Sequence, residues 1–309
     1  MIKKLCFSTF LAFGFITLIA CSSNFIATTQ ETILVGGSTG RQGTAVVGEL
    51  IKRGYRVRAM TRNPSSKKAM ALANKYDVEI FEGDYADFDS LLIAMRGVNK
   101  VFFYTSPLSR NELLEGNNVI SAAKESGVKH LVYSSGAAAE PGNGIPGAQM
   151  DIELAIVSSG LNFTVLRPVA FMENIDRTQK RIAKNGIVDS REPSRMLYFI
   201  SIPDIGFYVG EAFNHPKRWK GVAMNIAGDS MTINEYVMTV GAVMGRSLSY
   251  RRQPLESYLA AKPKFLRTLF RWYDNVGYTA DVDSARKEFP KLITLDSYLR
   301  STGWENWQE

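Results

Sequence analysis

Cysteine and histidine are nearly absent from this sequence: 309 residues contain two of each, Cys6, Cys21, His130 and His215. A zinc site of the Cys/His type needs about four such ligands, so all of them would have to converge from distant positions, and no resident metal is expected. A Ser-His-Asp or Cys-His apparatus would depend on one of the two histidines, and neither lies in a nucleophile motif such as G-x-S-x-G. Hydrolase and metalloenzyme chemistry are therefore disfavoured. Also missing are an internal repeat, a tract rich in Pro or Gly, and a strong charge imbalance. The net charge of +7 falls to +5 once Lys3 and Lys4 are set aside. A surplus of that size, spread along the chain, does not mark a nucleic-acid partner. What is present, 45% hydrophobic and 11% aromatic residues, supplies a core for one large or two small domains.

Residues 1–21 combine a basic start, Lys3 and Lys4, with an apolar stretch over 5–20. This is the pattern of a signal peptide, and it falls short of the roughly 20 residues that a spanning helix needs. Leu18-Ile19-Ala20-Cys21 resembles the bacterial lipobox. That resemblance implies a lipid on Cys21 and a lipoprotein anchored in the cell envelope, with Ser22, rather than Asp, pointing to the outer membrane. The alternative is an uncleaved N-terminal membrane anchor. Residues 22–31 read as a polar tether spanning at most about 33 Å.

From Thr32 onward the pattern changes. The apolar run Ile33-Leu34-Val35 meets Gly36-Gly37-Ser38-Thr39-Gly40-Arg41-Gln42-Gly43, and a helical pattern follows with Val46, Val47, Leu50 and Ile51 on one face. Strand, glycine turn and helix in that order form a dinucleotide cradle: Gly37 permits the turn, Gly40 admits a pyrophosphate, and Gly43 lets the helix sit close. The helix start offers unpaired N–H groups to phosphate. The next strand, 56–61, ends without an acidic residue to accept a ribose 2′-OH; Arg56, Arg58, Arg62, Lys67, Lys68 and Lys75 surround it instead. Arg62 is the candidate partner of a 2′-phosphate, so NADP(H) is expected over NAD(H); a solvated basic loop is the alternative. Further strands are expected at 79–82, 100–104, 129–134 and 163–166, with helices between them. This alternation predicts a doubly wound parallel sheet. Asp84, after the third strand, could accept from an adenine amino group or cap a helix, whereas Asp87 and Asp89 read as caps. The turn Tyr104-Thr105-Ser106-Pro107 falls where ligands bind at the carboxyl ends of strands.

Together Val35–Gly43, Thr61-Arg62-Asn63-Pro64, Gly83-Asp84, the stretch 122–135, Leu166-Arg167-Pro168 and Phe171-Met172-Glu173-Asn174 resemble the NmrA-like family of atypical short-chain dehydrogenase/reductases. The resemblance extends from about Thr32 into segments near the C-terminus, 270–273 and 294–299. It implies an α/β fold with a Rossmann domain over 32–167 and a smaller mixed α/β domain over 168–309 covering the cleft. It implies a cofactor site that includes Gly37, Thr39, Gly40, Arg41, Gln42, Gly43, Arg62, Asp84, Thr105, Ser134 and Pro168. The sequence departs from ordinary short-chain dehydrogenases at the Tyr-x-x-x-Lys dyad. Counted from Glu153, the lysine position is Gln149 and the tyrosine position is Ile145, so neither catalytic group is present. Ser134 or Ser135 matches the remaining serine position, and no catalytic residue is assigned.

Residues 171, 172, 174 and 198 (Phe171, Met172, Asn174, Tyr198) are candidates for lining an acceptor pocket, or for core. Residues 262–273 read as a basic amphipathic helix, with Leu266, Leu269, Phe270 and Tyr273 on its apolar side. It would either touch a membrane or partner or pack on the cleft domain. Three functions follow. The first is an NADP(H)-binding sensor or regulatory module. The second is an NADPH-dependent reductase of a small flat, quinone-like acceptor, which can take up hydride without a tuned acid. The third is a scaffold lipoprotein whose nucleotide site is idle. A domain outside the inner membrane has no expected NADPH pool, and this stands in tension with the first two.

Overall fold

The computed structural model describes residues 31–306; Cys6, Cys21 and most of the expected tether lie outside the described residues. Among the described residues no helix is long and apolar enough to cross a membrane.

The strands are β1 (Thr32–Val35), β2 (Arg56–Thr61), β3 (Glu79–Glu82), β4 (Lys100–Phe103), β5 (His130–Ser134), β6 (Phe163–Pro168), β7 (Ala170–Phe171), β8 (Ile187–Asp189), β9 (Met196–Ile200), β10 (Val222–Ile226), β11 (Asp229–Thr232) and β12 (Tyr250–Arg252). The first half of the chain interleaves them with helices α1 (Arg41–Lys52), α2 (Lys67–Tyr76), α3 (Phe88–Met95), α4 (Glu112–Glu125) and α5 (Ala148–Ser158). The second half adds α6 (Gln179–Asn185), α7 (Ile202–Asn214), α8 (Pro216–Trp219), α9 (Ile233–Val243), α10 (Leu255–Ala260), α11 (Arg267–Asn275), α12 (Val282–Glu288) and α13 (Leu295–Ser301).

Seven strands form one parallel sheet in the order β10-β6-β5-β4-β1-β2-β3. The order reverses between β1 and β4, the switch point where ligands enter open α/β sheets. Strands β4 and β5 are buried along their whole length, as continuous apolar runs covered on both faces must be. One face packs Val46, Val47 and Leu50 of α1 with Ile205, Tyr208 and Val209 of α7. The other packs Leu91, Val119, Ile152 and Ile156 from α3, α4 and α5. Helices α1 and α7 approach closely because a Cβ on Gly206 would lie 2.9 Å from the Ala45 carbonyl.

The boundary at residue 168 does not divide this architecture. Strand β10 adds to the main sheet beside β6, and α7 covers the same face as α1, so the Rossmann unit draws on both halves of the sequence. The remaining C-terminal elements gather around a separate core of Met172, Ile182, Phe199, Val240, Leu295 and Trp304. The helix expected at 262–273 is also shorter than the periodicity suggests. Pro263 precedes a 3-10 turn, Lys264–Leu266, and α-helix begins only at Arg267. Its charges are used locally. Lys262 lies 4.0 Å from the Tyr258 ring centroid, and Arg271 pairs with Glu256 at 2.7 Å.

At the amino ends of the central strands stands Glu31, whose carboxylate pairs with the buried Lys100 amine. The chain therefore enters the fold at the amino end of the strands, away from their carboxyl ends.

Candidate cofactor cleft

The glycine turn stands at the carboxyl end of β1. Gly37 is left-handed, with φ of 63°, and its carbonyl accepts from the Gly40 N–H at 2.9 Å. Gly40 is the N-cap of α1; no side chain caps that end and no acid occupies the first turn, so its N–H groups face outward unneutralised. A Cβ on Gly43 would fall on the Gly37 carbonyl, so the third glycine is a packing requirement. Ser38 fastens the turn to β2 through its hydroxyl and N–H, both donated to the Met60 carbonyl at 2.9 and 3.1 Å.

A cavity of about 690 Å³ opens beside this turn and is lined by Gly37, Thr39, Gly40, Thr61, Arg62, Asn63, Ser66, Lys68, Gly83, Asp84, Tyr85, Tyr104, Ser106, Ser109 and Glu115, among others. Of the six basic residues around β2, only Arg62 and Lys68 reach it. Arg58 is spent on Glu79 and the Ala94 and Arg96 carbonyls, and Lys75 on the Tyr76 ring. Arg62 and Lys68 are exposed and make no ion pair among the described residues. Beside them Ser66 caps α2, accepting from Ala69 N–H at 3.2 Å. Two free cations and a helix start thus share one end of the cavity. Asp84 lies opposite, its Oδ1 accepting from Ala86 N–H at 3.0 Å in a local turn, and Asp87 is the N-cap of α3. Ser66 and Glu115 belong to no motif, and Lys68 is one of the six basic residues around β2; their place in the cavity follows from where α2 and α4 begin.

The structure does not bring the other expected residues into this cavity. Thr105 points into the core, where its hydroxyl donates to Glu112 Oε1 at 2.8 Å and lies 2.9 Å from the Tyr133 hydroxyl. Its neighbours Tyr104 and Ser106 face the cavity, because alternation at the end of β4 sends successive side chains to opposite sides. Pro168 is buried in β6 opposite Ile226. Ser134 is 1% exposed and donates to Gln42 Oε1 at 2.7 Å, joining the first turn of α1 to β5. Arg41 reaches over the Phe171 ring, 5.9 Å from its centroid, and donates to Asn174 Oδ1 at 3.4 Å. Met172 is fully buried in the C-terminal core rather than lining a pocket. Tyr198 lines a second cavity of about 570 Å³ together with Arg191, Arg195, Arg252 and Tyr278.

Where the dehydrogenase dyad would stand, the electrostatics are quiet. Glu112 is buried and hydrogen-bonded by Thr105 and Gln149, and desolvation raises its carboxyl above the usual range. Tyr133 is pushed up by burial, so it remains a neutral phenol. On the buried side of α5, Arg167 and Glu153 form a bidentate pair at 2.6–3.1 Å that locks this helix to β6. Among the described residues no cluster of metal-ligating side chains exists.

Comparison with known proteins identifies the family and the fold. Residues 29–299 match the model of the NmrA-like family. An NmrA-like family domain-containing oxidoreductase, hkm9, of Aspergillus hancockii is 31% identical over 74% of this chain and 77% of its own. Among solved structures, the NADPH-dependent quinone oxidoreductase QOR2 of Escherichia coli, complexed with NADPH, superposes with a TM-score of 0.76 at 22% identity, covering 88% of this chain and 99% of that one. NmrA, a negative transcriptional regulator in complex with NAD, gives a TM-score of 0.71 at 17% identity, covering 88% of this chain and 94% of that one.

Proposed function

The chain belongs to the NmrA-like family, and from that membership we propose that it binds NADP(H) as a redox-sensing or regulatory module. The observation that carries this reading is the pairing of an uncapped glycine-turn helix with two uncommitted cations, Arg62 and Lys68, at the end of an acid-free β2. The backbone N–H groups of Gly40 and the first turn of α1 would hold phosphate. Arg62 and Lys68 would hold a ribose 2′-phosphate, for which guanidinium offers a bidentate fork. When bound, the nicotinamide ring supplies hydride. Ile145 and Gln149 supply no ionisable donor beside it, which favours sensing over alcohol-carbonyl exchange. The adenosine side of the cleft is open to such a ligand as it stands, whereas on the nicotinamide side Tyr104 lies across the glycine turn.

A second reading, NADPH-dependent reduction of a flat acceptor, is favoured by the named activities of the Aspergillus and Escherichia coli relatives. Titration of NADPH followed by its fluorescence, then NADPH oxidation against a panel of quinones, separates the two. A sensor binds and shows no turnover; a reductase consumes NADPH. Absence of binding at millimolar cofactor rejects both and leaves the scaffold reading.

We propose further that Cys21 carries the lipid of an envelope lipoprotein. Entry of the chain at Glu31, on the amino edge of the sheet, would then turn the cleft away from the bilayer and toward soluble ligands. Cys21→Ser abolishes lipid labelling and membrane retention if this is so; retention of both rejects it.

A further inference from the structure

Tyr104 occupies the passage that a dinucleotide has to cross. Its hydroxyl donates to the Gly37 carbonyl at 3.0 Å, and its ring lies 3.0 Å from where a Cβ on Gly37 would stand. A Cβ on Gly40 would fall on the same hydroxyl. The phenol therefore fills the space that two glycines leave open at the start of α1, immediately at the switch point between β1 and β4. Burial keeps it protonated and able to donate. Behind it, the Ser134–Gln42 bond joins α1 to β5. The cavity ends at this wall: it reaches Gly37, Thr39 and Gly40 but is not lined by Arg41, Gln42, Ser134 or Phe171.

We propose that the resting cleft selects an adenine mononucleotide bearing a ribose phosphate, and that Tyr104 bars the second half of a dinucleotide until its ring leaves the glycine turn. The adenosine side is complete without movement. Arg62, Lys68 and the Ser66-capped start of α2 form its phosphate end, and Asp84 stands on its base side. The nicotinamide side requires breaking the Tyr104–Gly37 bond, so part of a dinucleotide's binding energy goes into opening the cleft. This inference rests on the proposed nucleotide reading.

The test compares adenosine 2′,5′-bisphosphate with NADPH by calorimetry on the wild type, Tyr104→Val and Tyr104→Phe. The wild type binds the bisphosphate at least as tightly as NADPH. Tyr104→Val tightens NADPH by about tenfold and leaves the bisphosphate unchanged. Tyr104→Phe keeps the ring but loses the bond to Gly37, and it falls between them. If all three proteins bind NADPH far better than the bisphosphate with one common ratio, Tyr104 does not select, and the nucleotide reading survives. If none binds either ligand, both fail.

Discussion

The two sides of the cleft are built in opposite ways from neighbouring segments of the same sheet. On the adenosine side, the start of α1 and the segment from the end of β2 into α2 present groups without internal partners among the described residues: the unneutralised N–H groups of α1, Arg62 and Lys68. On the nicotinamide side, several polar groups from the ends of β4, β5 and β6 pair with groups on α1, α4 and α5. Ser134 holds Gln42, Thr105 holds Glu112, and Arg167 holds Glu153. A site that leaves donors open is poised for a ligand, whereas one that closes them has to exchange existing bonds for new ones. Recognition and chemistry have therefore separated in this chain, and the side that would support proton transfer is the side that lost its dyad.

The comparison breaks most visibly at Glu153. Glu153→Ala strands the buried Arg167 guanidinium and releases α5 from β6, and a stability loss of about 3–5 kcal/mol is expected in denaturant titration. A loss below about 1 kcal/mol would show that this side is not held by its internal pairs. Next in size is an effect at the amino ends of β5 and β6. Thr164 donates to the Trp219 carbonyl at 2.7 Å, so His130 Nε2–H has to donate to Thr164, which leaves Nδ1 as a buried acceptor without a partner. Burial and the nearby Lys100 lower the His130 pKa from 6.5 to about 4. The unfolded chain binds the proton first, so stability is full above pH 6.5 and falls as the pH drops toward 4. The total is about 3 kcal/mol. His130→Gln should flatten that slope over the same interval in pH-dependent unfolding.

The adenosine side is sharpened by Arg62→Glu, which should weaken NADPH by about tenfold or more and NADH far less. Equal losses in calorimetry would show that Arg62 does not read the 2′-phosphate. The smallest effect belongs to Ser134→Ala. It frees Gln42 at a cost of about 0.5–1.5 kcal/mol in thermal unfolding and should leave adenosine bisphosphate binding untouched.

Much of this was legible in order along the chain. The strands β1, β4 and β5 announce themselves because a parallel strand buried on both faces has to be a short, mostly apolar run, as Val101-Phe102-Phe103 is. The glycine turn is legible because Gly43 has no substitute under the Gly37 carbonyl. The inward turn of Thr105 was not legible, since the end of β4 fixes which neighbour faces the cleft. Nor was the late start of α11, where Pro263 interrupts an apolar periodicity that by itself continues. The place of β10 in the main sheet escaped local pattern altogether, because pairing with β6 is set by a partner some sixty residues away.

By itself the sequence determined the parallel sheet, the phosphate-ready turn, the absence of an acid at the end of β2 and the loss of the Tyr-Lys dyad, because each is a property of residue type at a fixed spacing. Only the tertiary structure decided which of six basic residues face the cavity, that Ser134 is bound to Gln42, and that Tyr104 lies across the glycine turn. Those outcomes depend on side chains from separate strands competing for one space at the carboxyl edge of the sheet. That competition is resolved by packing and hydrogen-bond satisfaction in three dimensions.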